Sequence, residues 1–394
     1  MKKDALIVYG AVAQPPAPLG NSWEASKHRL RRIADRLIFG TLKRRRVNYR
    51  NYASKHIYNR GDYAIIQASA QAIKACNQHL ELRRINWEEI NRPENSNIQF
   101  SICGSGYFFL NSKQQFPARL RSDLSWIKSG NTLSMIYGSG VNLIDPKLLH
   151  EDISLPPAEA DFLCDFLSHC EHISVRDATS QRILQECTSS QVHLIGDPAL
   201  FIEPNNRISP KQIFSEKRIH IGINFPFHGP GSSARINEDL RSYVIALKEI
   251  QIRTDCLFHY MIHYDSELLV AALLRDAGIK LRVVHGDVDD LLHAYKQLNI
   301  HIGGMLHSCI LASSTGTPAI GLAYDIKHSG FFSLLGFPEH CIPAQPFVPD
   351  RIVSLALQTL NKERQLRAAI LMRRSDLREK ADGFLRSALQ QFNQ

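Results

Sequence analysis

The sequence predicts an α/β protein: two Rossmann-like domains, each around a mainly parallel sheet, facing each other across a cleft. Two observations predict it. Short apolar, β-branched runs alternate with longer amphipathic stretches, the pattern of βαβ units. That pattern halts at Glu203-Pro204-Asn205-Asn206-Arg207-Ile208-Ser209-Pro210, polar and twice punctuated by proline, and then restarts. The division is therefore expected there, with an N-terminal domain over residues 1–206 and a C-terminal domain over 207–394 that ends in a helical tail. A chain of 394 residues suits two to three domains at about 150 residues each.

The elements follow in order. Residues 5–12 are apolar after two lysines; the run is short and β-rich, so it reads as a buried first strand rather than a signal peptide. Further strands are expected at 80–85, 99–103, 132–137, 172–175 and 192–195, with helices at 63–77, 157–169 and 178–187. After the break, residues 218–225 (RIHIGINF) form a strand, 240–252 a helix and 256–262 a strand. A helix over 267–277 stops at Gly278, a good C-terminal residue. Then come strand 280–284, helix 288–296, strand 300–303, helix 306–314 and strand 318–322. A long helical tail is expected over 361–391.

Composition narrows the classes. The hydrophobic share is 44% and the charged share 22%, which excludes a wholly disordered, collagenous or coiled-coil chain. No run reaches the about 18 apolar residues that a spanning helix needs. Lys+Arg number 47 and Asp+Glu 38, a net +9. Between Lys27 and Arg50 ten basic residues stand against Asp35 alone, an excess equal to the whole net charge. The rest is close to neutral, which argues against a general nucleic-acid binder and for one special basic segment. Eight cysteines form no CxxC pair and sit mostly in apolar contexts, so they read as reduced, mostly buried thiols of a cytoplasmic protein. His259 and His263 are four apart, but their context is strand-like, so they would not share a helical face as metal ligands do. GxSxG, P-loop and HExxH motifs are absent from the sequence. No metal and no cofactor is expected.

Four segments carry candidate chemistry. Asn59-Arg60-Gly61-Asp62 precedes a helix; Asp62 is placed to cap it, and the turn reads either as a plain cap or as a helix N-terminus aimed into the cleft at a polar group. Cys103-Gly104-Ser105-Gly106 and Tyr137-Gly138-Ser139-Gly140 each follow an apolar strand, where glycine permits close backbone approach to a ligand or simply turns the chain. Ile173-Ser174-Val175-Arg176-Asp177 puts an arginine at a strand's carboxyl end, suited to a bidentate grip on carboxylate or phosphate. Gly196-Asp197-Pro198 closes the next strand, with Asp197 available to orient Arg176 or a sugar hydroxyl. The fourth segment is Gly303-Gly304-Met305-Leu306-His307-Ser308. A strand ends in Gly-Gly and a helix begins, with His307 and Ser308 in its first turn, which makes an anion cradle beside a general acid. Lys327, after the next strand, adds positive charge.

Together these segments resemble the polysaccharide pyruvyl transferase family. The Asn-x-Gly-Asp turn, the Ser-Val-Arg-Asp segment with Ser180 and Leu184, Gly196-Asp197-Pro198, Leu306-His307-Ser308, Gly316-Thr317-Pro318 and Tyr324-Asp325-x-Lys327 stand in that family's order across roughly residues 59–338. The resemblance implies a GT-B-like pair of domains. It implies transfer of the pyruvyl group of phosphoenolpyruvate to two hydroxyls of a sugar, forming a ketal on a cell-surface polysaccharide or its lipid-linked precursor. It implies His307 as general acid, with Asp62 and Asp197 as further catalytic groups that serve as base or hold sugar hydroxyls. Arg176, Gly303, Gly304, Ser308 and Lys327 would hold phosphoenolpyruvate or another anionic phosphorylated donor. Asn59, Gly104, Ser105, Gly138 and Ser139 would face the sugar or lipid-linked oligosaccharide acceptor.

Two departures stand out. The family carries an arginine directly before Leu-His, where this chain has Met305. About fifty residues also separate the first strand from Asn59, where the family goes almost directly from strand to turn; they include the basic insertion 20–50. Within it, Leu30, Ile33, Leu37 and Ile38 fall at helical spacing among basic residues. That reads as an amphipathic helix for the anionic inner face of a membrane, or as a helix packed on the first domain with a solvated basic face. Alternative readings of the whole chain are a nucleotide-sugar-dependent glycosyltransferase on the same architecture and a non-catalytic relative.

Overall fold

The structure is a computed structural model describing residues 5–10, 59–86, 99–104, 106–111, 113–143, 153–204, 214, 217–225, 232–264, 267–344 and 346–392. The basic insertion and Ser105 lie outside the described residues.

The first half runs β1 (Ala5–Gly10), α1 (Arg60–Cys76), β2 (Glu81–Asn86), β3 (Gln99–Cys103), β4 (Phe108–Leu110), α2 (Ala118–Lys128), β5 (Thr132–Ser139), β6 (Val141–Leu143), α3 (Pro157–Leu167), β7 (His172–Val175), α4 (Ala178–Gln185) and β8 (Val192–Leu194). A 3-10 turn, Pro198–Phe201, follows. The second half runs β9 (His220–Asn224), α5 (Ser232–Thr254), β10 (Leu257–Met261), α6 (Leu268–Asp276), β11 (Leu281–Val284), α7 (Val288–Lys296), β12 (Ile300–Gly303), α8 (Leu306–Ser314), β13 (Ala319–Ala323), α9 (Ile326–Leu335), β14 (Cys341–Pro343), α10 (Pro349–Asn361) and α11 (Glu363–Ala388).

Two six-stranded parallel sheets result, ordered β2-β1-β3-β5-β7-β8 and β11-β10-β9-β12-β13-β14. The second has the doubly wound order in which strand succession reverses beside the first strand of the set. Its reversal falls between β9 and β12, where Gly303 registers with Asn224. In the first sheet it falls between β1 and β3. Carboxyl ends at such reversals splay apart and leave room for a ligand. Buried strands on both faces explain why their sequences are nearly continuous apolar runs, such as the fully buried β9 and β12.

Each sheet has one core of its own. One contains Ile102, Phe108 and Phe166 and the other Ile223, Tyr260 and Ile302. A third core mixes both halves, joining Leu6, Ile65, Tyr137 and Leu200 to Leu292, Leu311 and Phe384. The helical tail expected over 361–391 is α11, and it is preceded by a helix that was not expected, α10, the two meeting at Lys362. Helix α11 returns to the first sheet: Phe384 stacks on Tyr137 with centroids 6.2 Å apart, and Arg374 donates to the Leu200 carbonyl at 2.9 Å.

Candidate functional site

The site assembles where the carboxyl ends of both sheets meet. From the first half comes the N-terminus of α1. Asn59 caps it, accepting from the Gly61 N–H at 2.9 Å, and its amide donates to Asp62 at 2.6 Å. A Cβ at Gly61 would collide with the His307 ring, so only glycine lets helix and imidazole approach this closely. Arg60, one residue back, reaches across. Its guanidinium donates to the carbonyls of Gly286 and His263 at 2.5 and 3.2 Å, and its own N–H donates to His263 O at 3.3 Å.

Arg176 follows β7 directly. It is 5% exposed and donates to Asn142 Oδ1 at 2.5 Å, Val141 O at 3.3 Å and Asp177 Oδ2 at 3.3 Å. Asp177 in turn caps α4 through Ser180 N. The guanidinium is therefore aimed by a fixed set of acceptors rather than free to search. Asp197, 2% exposed, caps the turn after β8 by accepting from Ala199 N at 2.9 Å. Its other oxygen, Oδ2, is buried without a hydrogen-bond partner. Burial pushes its pKa up to about 6, against the opposing pull of Arg176.

From the second half, α8 brings His307 into its first turn. His307 Nε2 lies 3.9 Å from Asp197 Oδ2, and it too is buried without a hydrogen-bond partner. Burial lowers its pKa to about 3, helped by Lys327, Arg176 and His328. Lys327 lies 3.4 Å from Asp325 and over the Tyr324 ring at 5.2 Å. Burial disfavours its charge, but Tyr324 and Asp325 more than offset this and its pKa is raised. Two cations, a neutral imidazole and a carboxyl with raised pKa thus lie within electrostatic reach of one another. Such a set grips an anion and moves a proton beside it. Among the described residues no cluster of three or more His, Cys, Asp or Glu suits a metal ion.

Other expected site residues are turned to structural partners. Ser308 is fully buried; it donates to Met305 O at 2.7 Å and meets His301 Nε2 at 2.9 Å, so it faces the sheet and not the cleft. Gly304 N–H donates to Asn224 O at 2.6 Å, and its carbonyl meets His328 Nε2 at 3.2 Å. A Cβ at Gly303 would press on Cys309 and Ser308. These glycines let α8 start close against the sheet. Its N-cap, Met305, provides no side-chain acceptor for the first-turn N–H groups. Gly104 and Gly138 have φ of +56° and +62° and pack under Pro198. Gly104 N–H donates to Tyr137 O at 2.7 Å, Ser139 Oγ donates to Gly104 O at 2.8 Å, and Gly138 N–H donates to Ser174 Oγ at 3.1 Å. Each of these three positions is thus tied into a buried seam.

Sequence reasoning missed Arg60 and Asn142 as parts of the site. Asn142 sits in the three-residue strand β6, too short to show a period. Arg60 carried no signal, because its acceptors are carbonyls more than 200 residues away.

A family model, polysaccharide pyruvyl transferase, matches residues 59–326. No curated protein sequence matches the chain. Among solved structures, the pneumococcal O-GlcNAc transferase GtfA in complex with UDP and GlcNAc aligns with TM-score 0.44 and 14% identity, over 70% of this chain and 55% of that one. An S. aureus MnaA–UDP co-structure aligns with TM-score 0.47 and 10% identity, over 79% and 88%. The Candida albicans trehalose-6-phosphate phosphatase N-terminal domain aligns with TM-score 0.46 and 11% identity, over 98% and 99%. At these scores the likenesses carry no argument about chemistry; the GT-B-like character rests on the two parallel sheets themselves.

Proposed function

The chain belongs to the polysaccharide pyruvyl transferase family, and from that premise we propose that it moves the pyruvyl group of phosphoenolpyruvate onto two hydroxyls of one sugar of a cell-surface polysaccharide or its lipid-linked precursor. The observation that carries this reading is the convergence of Arg176, Lys327, His307 and Asp197, with the unpartnered atoms of the last two 3.9 Å apart.

The donor is a carboxylate and a phosphate on one enol. Arg176 and Lys327 match its charge, and both are nearly enclosed, where a fixed cation acts more strongly than in water. In the ligand-free site those cations help keep His307 neutral. A bound anion between them cancels their field, so the imidazole takes up a proton as the donor arrives. That proton goes to the methylene carbon, and C2 becomes electrophilic. A sugar hydroxyl adds to C2 and gives its proton to Asp197. The second hydroxyl, passing its proton to the now neutral His307, then displaces phosphate from C2, closing the ketal and releasing inorganic phosphate. Asp62, hydrogen-bonded to Asn59, stands at the α1 N-terminus as an acceptor for sugar hydroxyls. Ser308, Gly104, Gly138 and Ser139 have no part in this scheme.

Met305 favours one second reading, a nucleotide-sugar donor, because the family's additional cation is missing there. Incubating the protein with phosphoenolpyruvate or a panel of nucleotide sugars, with glycan acceptors, separates the two. Phosphate release with a new ketal methyl resonance, abolished in His307→Ala while donor-induced thermal stabilisation persists, supports the proposal. Stabilisation by nucleotide sugars alone, or unchanged turnover in His307→Ala, overturns it. The basic insertion would hold the enzyme at the cytoplasmic face of the membrane, beside lipid-linked glycans; among the described residues no helix is long and apolar enough to cross a membrane.

A further inference from the structure

A cavity of about 620 Å³ opens at the amino ends of β5 and β7, the opposite edge of the first sheet from the site above. That volume falls within the range of small-molecule pockets. Its wall includes Cys164, on α3, and Cys187, just after α4. Both thiols are half-buried and free. Cys187 Sγ lies 3.7 Å from the carbonyl of Ala160, one helical turn before Cys164, and the Cys164 side chain is close enough to act on its titration. Two thiols, one on α3 and one just past the end of α4, are therefore neighbours at the edge of an opening a small molecule can enter. The third cysteine of the wall, Cys170, is 3% exposed and its thiol is engaged with the His172 carbonyl at 3.4 Å.

We propose that Cys164 and Cys187 are a redox pair, which a low-molecular-weight disulfide entering this cavity converts into an intramolecular disulfide between α3 and α4. Cys164 enters first. Burial, Cys164 itself and the acidic Glu186 and Asp161 push the Cys187 thiol up to about 12, so it stays protonated while its partner reacts. The Cys164 thiolate attacks one sulfur of the incoming disulfide; that S–S bond breaks and one thiolate departs. Cys187 then loses its proton, attacks Cys164 Sγ and expels the second thiolate. Two protein thiols are oxidised, their two protons pass to the two departing thiolates, and the reagent disulfide is thereby reduced to two thiols. The bond would fix the far end of α4, whose first residue follows Arg176 and Asp177, to α3. This pair is independent of the pyruvyl reading.

The test treats the full-length native protein with oxidised glutathione and maps its thiols by mass spectrometry under non-reducing conditions. Wild type is expected to lose two of its eight thiols and yield one linked peptide joining Cys164 to Cys187, reversed by dithiothreitol. Cys187→Ser is expected to stop at a glutathione adduct on Cys164, and Cys164→Ser to leave Cys187 unmodified. Wild-type peptides that stay unlinked overturn the proposal without recourse to the variants. Adducts confined to Cys76 or Cys341, or a Cys187 adduct in Cys164→Ser, also overturn it.

Discussion

Gly61→Ala is the sharpest probe of the joint between the two halves. In an ordinary helix the change stabilises by up to about 1 kcal/mol, because alanine has less backbone freedom to lose. Here the new Cβ would overlap Cβ, Cγ and Nδ1 of His307. Ordinary contact begins at 3.4 Å, so ring or helix must retreat by roughly 1 Å. Overpacking of this kind costs about 1–3 kcal/mol, which outweighs the propensity gain. The net expectation is a fold between unchanged and about 2 kcal/mol less stable. Activity falls much further, since a displacement of that size at a reacting group costs about 100-fold in kcat. Gly383→Ala is the control: it is an exposed helical glycine whose Cβ would meet only Arg386 at 4.0 Å. It should leave kcat untouched and raise stability slightly. Phosphate release measured beside urea unfolding reads both quantities. Full wild-type kcat in a folded Gly61→Ala protein would show that the imidazole does not work against the α1 N-terminus.

Three more perturbations have defined outcomes. Asp197→Asn keeps the acceptor for Ala199 N–H but removes a carboxyl that titrates near 6; kcat should drop about 100-fold or more, and the acid limb of its pH profile should vanish. Arg60→Ala removes the donors to His263 O and Gly286 O. Both kcat and KM should worsen, the radius of gyration in solution should rise, and Arg60→Lys should recover part of each. Stability against pH follows from opposed titrations. His259, His301 and His307 have folded pKa values of about 3 and His328 about 4, all below the ordinary 6.5. The unfolded chain therefore binds more protons at these sites, and stability falls as pH drops from 6.5 toward 3. Glu267 is raised to about 8 and Asp197 to about 6, so the folded chain holds extra protons there and stability falls as pH rises through those values. Near pH 5 the lowered histidines, His263 among them, outnumber the two raised carboxyls, so stability is lost on acidification. Above pH 7 Glu267 reverses the slope. Urea unfolding at pH 5, 6.5 and 8.5 checks this; a maximum anywhere but the middle value refutes the assignments.

The legible parts of the fold were those whose period is long enough to read. Strands 99–103, 172–175 and 300–303 and helices 288–296 and 306–314 occupy those very residues in the structure. Three-residue strands such as Phe108–Leu110 and Val141–Leu143 carry no detectable alternation. The N-cap of α2 is Pro117, which offers no side-chain acceptor, so the helix lacks a capping start signal. The α9 helix groups Lys327, His328 and Ser329 in its first turn and most of its apolar residues after Gly330, which hides its periodicity.

For the site, local sequence could place Asn59, Arg176, Asp197, His307 and Lys327 at strand ends or helix starts, because caps, glycines and strand termini are matters of neighbouring residues. It could not tell that Ser308 looks inward, since one residue along a helix turns a side chain by about 100° and only the packed sheet decides which face is covered. Nor could it find the Arg60 bridge or the meeting of His307 with Asp197. Those depend on how two sheets approach, and that approach is set by a mixed core of residues hundreds apart in the chain. Chemical identity is written residue by residue; proximity between distant residues exists only once the chain has closed on itself.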